Sequence, residues 1–148
     1  MLAFYAARAD HLEARIRPAV ANGTWVLCDR FADSTRAYQG VAGGVDAAAV
    51  EAIDRLVVGA TQPDLTLLLD APVELGMARA GVRNGHDEPD RFESERTEFF
   101  ERVRQCYLAR AAREPARFRV IDAGGSPAQV EQAVRDAMGP LLAASGKP

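Results

Sequence analysis

Leu2, Tyr5, Ala9, Leu12, Ile16 and Ala19 recur at intervals of three and four, so the spacing predicts a helix from Leu2 to Val20 with one inward stripe. Gly23 is placed to close that helix, and the apolar run Trp25 to Cys28 predicts a short strand behind it. Asp46 can cap a second helix with Val50, Ile53, Leu56 and Val57 inward, stopped at Gly59. Leu65 to Leu69 is continuously apolar, as expected of a parallel strand covered on both faces, and Pro72 then suits a helix start. Gly81 to Arg91 holds Gly81, Gly85 and Pro89 without an apolar period and predicts a mobile loop. Phe99, Phe100, Val103, Cys106 and Tyr107 return to helical spacing, and Arg117 to Ile121 predicts the last strand. Ser126-Pro127-Ala128-Gln129 reads as a capping box opening a final helix that buries Val130, Val134, Met138 and Leu141, with a frayed tail from Ala143.

Strands alternating with helices imply an α/β domain with a parallel sheet in three layers, and 148 residues with 48% hydrophobic and 26% charged content suit a single domain with one core. The net charge of -3, from 18 basic and 21 acidic side chains, gives no electrostatic case for nucleic-acid binding. No apolar run reaches membrane-spanning length and no basic leader precedes Met1-Leu2-Ala3-Phe4, so a cytoplasmic protein without a membrane partner is expected. Cys28 and Cys106 then read as free thiols in a reducing compartment.

The chemistry-bearing residues fall in two early segments. Asp29-Arg30, followed by Ser34-Thr35 and Ala37-Tyr38-Gln39-Gly40, lies directly beyond a predicted strand. Ligands of open parallel sheets bind outside the carboxyl ends of strands, where an acid and a guanidinium can meet a metal and a phosphate; the alternative is an ordinary salt-bridged strand end. Phe4 and Arg8 are four residues apart on the first helix, so a ring and a fork on one side of it can stack on a planar base and bond its edge. A Phe at the core margin beside a solvated Arg is the alternative.

Taken together these segments resemble the thymidylate (dTMP) kinase family. The resemblance runs through Phe4-Tyr5-Ala6-Ala7-Arg8, Pro18 to Val26, Asp29-Arg30, Ser34 to Gly40, Pro63 to Asp70, Asp90-Arg91-Phe92-Glu93 and Val120-Ile121-Asp122-Ala123, nearly the whole chain. It implies a P-loop nucleoside monophosphate kinase fold using ATP with Mg2+, whose opening strand runs into G-x-x-x-x-G-K-[ST]. No such sequence occurs here, and Lys147 is the only lysine. By this comparison the fold is incomplete: the first strand, phosphate loop and second strand are absent, and the chain begins inside the second or third helix of the usual architecture. The remaining strands are expected to expose unpaired edges, leaving a chain that is marginally stable or associates with itself.

The resemblance also implies roles. Phe4 becomes the stacking platform, Arg8 the base-edge donor and Arg30 the holder of the acceptor phosphate. Asp29 acts near magnesium through water, and Ser34, Thr35, Tyr38 and Gln39 line the deoxynucleoside pocket, with Tyr38 a barrier to a ribose 2′-hydroxyl. Tyr107 touches the nucleotide. A basic lid over residues 79–92 brings Arg79, Arg83 and Arg91 to the phosphoryl group; the alternative pairs Arg79 and Arg83 with Glu74 or Glu88 on a solvated helix face. Asp122-Ala123-Gly124 and the residues after them resemble the loop that holds adenine, or form a plain strand-to-helix turn. Phe31 and Arg36 stand at positions that vary in the family, and Val41-Ala42-Gly43-Gly44 replaces the more usual Gly-Gly-Arg-Gly. The implied reaction is phosphoryl transfer from ATP to dTMP by a homodimer paired through its helices, with little or no turnover expected of these residues without a phosphate loop. A non-catalytic dTMP-binding or interaction remnant, and a kinase for another nucleoside monophosphate, are the competing readings.

Overall fold

Leu2 to Ala21 form one unbroken helical run: α1 (Leu2–His11), a π-helical turn over Leu12–Ile16, and α2 (Arg17–Ala21). The widened turn precedes Pro18, which has no N–H for the Ala14 carbonyl and whose ring crowds it, so the ladder loosens one turn upstream. Gly23, at φ 69°, closes the run as its position predicts. The computed structural model describes residues 1–41, 43–84, 93–144 and 146, without the side chains of 41, 82–84, 93 and 94, and resolves them into two units, Met1–Pro63 and Asp64–Pro148.

In the first unit, α3 (Ala32–Thr35) runs into a second π-helical turn over Arg36–Val41, and α4 (Ala47–Val57) follows. The Asp46 carboxylate caps α4 by accepting the Ala49 N–H at 3.0 Å, and Gly59 stands just beyond its end at φ 55°. Gly43 folds back so closely that a Cβ there would lie 2.7 Å from the Tyr38 carbonyl oxygen and 2.8 Å from that of Gln39. Leu12, Ile16, Ala32 and Val58 form the core, with Phe31 and Val57 packed against it.

Three expectations are corrected here. Trp25 to Cys28 is not a strand: every other element of this unit is helical, so no ladder partner stands among its described residues, and Leu27 is 98% exposed. The inward stripe of α4 continues from Val50 through Asp54 to Val58, and Leu56 lies outside it at 84% exposure. Leu2, at the start of the α1 stripe, is exposed, while Tyr5, Leu12 and Ile16 are buried.

The second unit is α/β with a parallel sheet. β1 (Thr66–Asp70) pairs with β2 (Phe118–Asp122) in register, Thr66 against Phe118 and Asp70 against Asp122. Between them run α5 (Val73–Asn84) and α6 (Glu93–Arg113); α6 packs on both strands and on α5, and α7 (Pro127–Ala144) packs on β2. The capping box forms, with the Ser126 N–H donating to Gln129 Oε1 at 2.8 Å and the Gln129 N–H to Ser126 Oγ at 3.4 Å.

This unit brings its own corrections. The sheet has two strands rather than three among the described residues, so both are edges, and Leu69 of β1 is exposed instead of covered. Helix α5 continues through Gly81 to Asn84, where a loop is expected; residues 85–92, the rest of that segment, lie outside the described residues. No helix among the described residues is long and apolar enough to cross a membrane.

Candidate functional site

The helical segment Ala32–Val41 gathers the first group of predicted site residues. Arg8, one turn after Phe4 on α1, donates from Nη2 to Thr35 Oγ1 at 2.8 Å and to the Phe31 carbonyl at 3.2 Å. Its guanidinium lies 5.0 Å from the ring centroid of Tyr5 and 5.3 Å from that of Phe31. The position of Arg8 is therefore set by two hydrogen bonds and two ring faces, while its Nη1 is buried and has no partner among the described residues. Phe4 presents 59% of its surface to solvent. Thr35 is buried, and Ser34, Tyr38 and Gln39 are half-buried along the same segment.

Asp29 and Arg30 form an exposed bend rather than a strand end. Arg30 takes a left-handed φ of 62° and donates from Nε to Ser34 Oγ at 3.3 Å, with its guanidinium 4.5 Å from the Tyr38 ring centroid. Burial pushes the thiol of the neighbouring Cys28 up, against the opposing pull of Arg8. A cleft of about 500 Å³ alongside is lined by His11, Arg15, Ile16, Asn22, Trp25 and Leu27 and contains none of the predicted site residues.

In the second unit, Arg79 does not stand free. Its Nη1 donates to the Ala123 carbonyl at 2.6 Å, and its Nη2 to those of Gly124 and Gly125 at 3.2 and 3.3 Å. The Asp122 carboxylate accepts the Gly124 N–H at 2.7 Å. The carbonyls of the segment between β2 and α7 are thus tied to α5, and Arg79 is bound there rather than to Glu74. Tyr107 lies half-buried on α6. The side chain of Arg83 and the whole of Arg91 lie outside the described residues.

Sequence reasoning passes over two ionic groups. Arg104 of α6 grips Asp70 at the end of β1 through Nε to Oδ1 at 2.7 Å and Nη2 to Oδ2 at 2.9 Å, and this fork holds the Asp70 carboxyl below the usual carboxylate range. Arg36 donates to Asp33 Oδ1 at 3.0 Å and to Asp54 Oδ2, while the Tyr5 hydroxyl reaches Asp54 Oδ1 at 3.4 Å and the Val50 carbonyl at 3.2 Å. Burial, reinforced by the Asp54 charge, pushes the Tyr5 hydroxyl up to about 12. The available signal was an acid inside an apolar stripe, Asp54 between Val50 and Val58. Among the described residues no three His, Cys, Asp or Glu side chains cluster closely enough to hold a metal by themselves.

Comparison with known proteins points to a family of nucleotide kinases. The family model described as thymidylate kinase matches residues 1–134, which include most of both units. The thymidylate kinase of Alcanivorax borkumensis is 57% identical over 132 residues, covering 89% of this chain and 62% of that protein. That of Bradyrhizobium diazoefficiens is 49% identical over 146 residues, covering 96% of this chain and 64% of the relative. The crystal structure of thymidylate kinase from Ehrlichia chaffeensis superposes with a TM-score of 0.70 at 26% identity, over 95% of this chain and 64% of that one. The chain belongs to the thymidylate kinase family. It spans about three fifths of the length of the curated relatives it matches.

Proposed function

We propose that these residues supply the monophosphate end of a dTMP kinase, which transfers the γ-phosphoryl group of ATP to a phosphate oxygen of dTMP and leaves ADP and dTDP. The observation that carries this reading is Arg8: a fork fixed by Thr35, Phe31 and two ring faces, with Nη1 unbonded among the described residues, one turn from the exposed Phe4 ring. A pyrimidine has a flat face for Phe4 and carbonyl oxygens for that donor. Arg30, held over Tyr38, faces the 5′-phosphate, and Ser34, Thr35, Tyr38 and Gln39 border the deoxynucleoside. The fold on this reading is the three-layer P-loop nucleoside monophosphate kinase fold, the two units belong to one domain, and Arg79, Arg83 and Arg91 serve the phosphoryl group from a lid.

Asp29 is a single hard-oxygen donor at an exposed bend, which suits Mg2+, an ion that keeps several waters and takes one or two carboxylates. Mg2+, when bound with ATP, neutralises charge on the phosphoryl oxygens. Asp122, Ala123 and Gly124 lie toward the adenine, and Tyr107 toward the nucleotide. The exposed Leu2 on α1 and Leu56 on α4 support pairing of two copies through these helices, in the cytoplasm.

Calorimetry with dTMP tests the reading. Micromolar to millimolar binding that Phe4→Ala and Arg8→Ala each weaken at least tenfold supports it, as does rejection of dCMP and dGMP. Binding indifferent to both substitutions overturns it.

A further inference from the structure

Five residues of the first unit close a ring across three helical segments, through four side-chain contacts and the peptide bond between Thr35 and Arg36. The Tyr5 hydroxyl of α1 is shared between Asp54 and the Val50 carbonyl of α4; Asp54 accepts from Arg36; Arg36 follows Thr35 in the chain; Thr35 accepts from Arg8; and Arg8 lies over the ring of Tyr5, where the circuit began. Asp33 also accepts from Arg36, so that one guanidinium faces two carboxylates. Asp54 is 1% exposed, Tyr5 2% and Asp33 5%.

Stability alone is a poor reason for an acid at position 54. Its neighbours along the stripe are Val50 and Val58, and replacing a buried ion pair by apolar residues of similar volume is often neutral or stabilising. The ring also leaves Arg36 Nε buried without a partner among the described residues. What an ion pair supplies and a leucine does not is a fixed register between the elements it joins. Both acceptors of Arg8, the Thr35 hydroxyl and the Phe31 carbonyl, stand on the segment that Arg36 anchors.

We infer that Asp54 is a positioning residue for base recognition: by holding Arg36 and the Tyr5 hydroxyl together, it fixes α1, which carries Arg8, against the segment that carries Thr35 and Tyr38. This rests on the dTMP reading above and adds to it a residue that does not touch the nucleotide. The high-lying Tyr5 hydroxyl stays a donor throughout the working pH range, so the ring does not open by deprotonation at neutral pH.

The decisive variant is the triple substitution Asp33→Asn, Arg36→Met and Asp54→Leu, which removes the charges of this ion cluster together. If Asp54 positions the site, the melting midpoint stays close to that of the unsubstituted protein while dTMP affinity falls about tenfold or more, given that a misplacement of about 1 Å at a positioned group can cost about 100-fold. The ratio of dTMP to dCMP affinity falls with it, because base-edge geometry is what is lost. An unchanged dTMP affinity in the triple variant overturns the inference. Should that variant not fold, Tyr5→Phe decides, since it keeps the ring under Arg8 and removes only the hydroxyl: at least a threefold loss of dTMP affinity supports the inference, and no loss overturns it. Arg8→Ala separates the two levels. If it leaves dTMP affinity intact, the nucleotide reading itself fails; if it abolishes binding while the ring variants bind normally, only the role of Asp54 fails.

Discussion

The guanidinium of Arg30 lies 4.5 Å from the ring centroid of Tyr38, and Arg30 is the one non-glycine residue with positive φ among the described residues, at 62°. The two facts are connected: the left-handed backbone turns the chain out of the bend after Asp29, and the Ser34 hydroxyl and Tyr38 ring hold the side chain that results. An L-residue in this region costs about 1 kcal/mol relative to glycine, and an exposed cation-π contact returns about 0.5 to 1 kcal/mol. Arg30→Ala keeps the backbone cost and loses the contact, whereas Arg30→Gly loses both. Urea denaturation should therefore rank the glycine variant above the alanine variant by about 1 kcal/mol, the reverse of their order in most helices and loops. An alanine variant as stable as the glycine variant would show that the backbone there carries no strain. Both should lose affinity for dTMP, because both lack the proposed phosphate-facing guanidinium.

Arg79 ties the first turn after β2 to α5 through three carbonyls. Arg79→Ala should loosen Ala123 to Gly125, and amide hydrogen exchange at Gly124 and Ser126 should accelerate, because the Asp122 and Gln129 bonds that protect them lose their backing. The effect on global stability should stay near 1 kcal/mol, since the guanidinium is exposed. Arg79→Lys should not restore protection, since one ammonium cannot reproduce the fork that spans three oxygens. Unchanged exchange at both amides in the alanine variant would mean the turn holds itself.

How much of this was legible beforehand follows from the kind of signal each feature leaves. Helical spacing and local capping chemistry are recorded in neighbouring residues, which is why the Asp46 cap, the Ser126 to Gln129 box and the closures at Gly23 and Gly59 stand where expected. A strand is different, because its hydrogen bonds belong to another segment. Trp25 to Cys28 has strand composition but no ladder partner among the described residues of its unit, whereas Leu65 to Leu69 and Arg117 to Ile121 find each other with a shift of one residue. In the candidate site, Arg8 and the Ser34 to Gln39 group were readable as spacing on helices. The Arg36, Asp54 and Tyr5 connections were not, because they join residues 18 and 49 positions apart. Asp54 alone gives a hint, as an acid within a hydrophobic stripe, but apolar spacing by itself runs through Leu56.

Asp70 and Arg104 offer the clearest pH signature. The carboxylate is depressed first by its hydrogen bonds from Arg104, against burial, which raises it, and then by the charge of the same guanidinium. A carboxyl whose folded pKa lies below its unfolded value of about 3.9 contributes stability that is fully present above that value and is lost as pH falls through the folded pKa. Asp70→Asn should therefore lower the melting midpoint at pH 7, where the pair is intact, and the gap between the variant and the unsubstituted protein should narrow below about pH 4. Because the fork joins the end of β1 to α6, the deficit should appear as a loss in the second unit, with amides of Leu68 and Ile121 exchanging faster at neutral pH. Raising salt to 1 M should leave most of the gap in place, since both groups are only 20 to 30% exposed and their contact is direct. A gap that stays constant from pH 7 down to pH 2.5 would show that Asp70 ionises in the folded protein as it does in the unfolded chain.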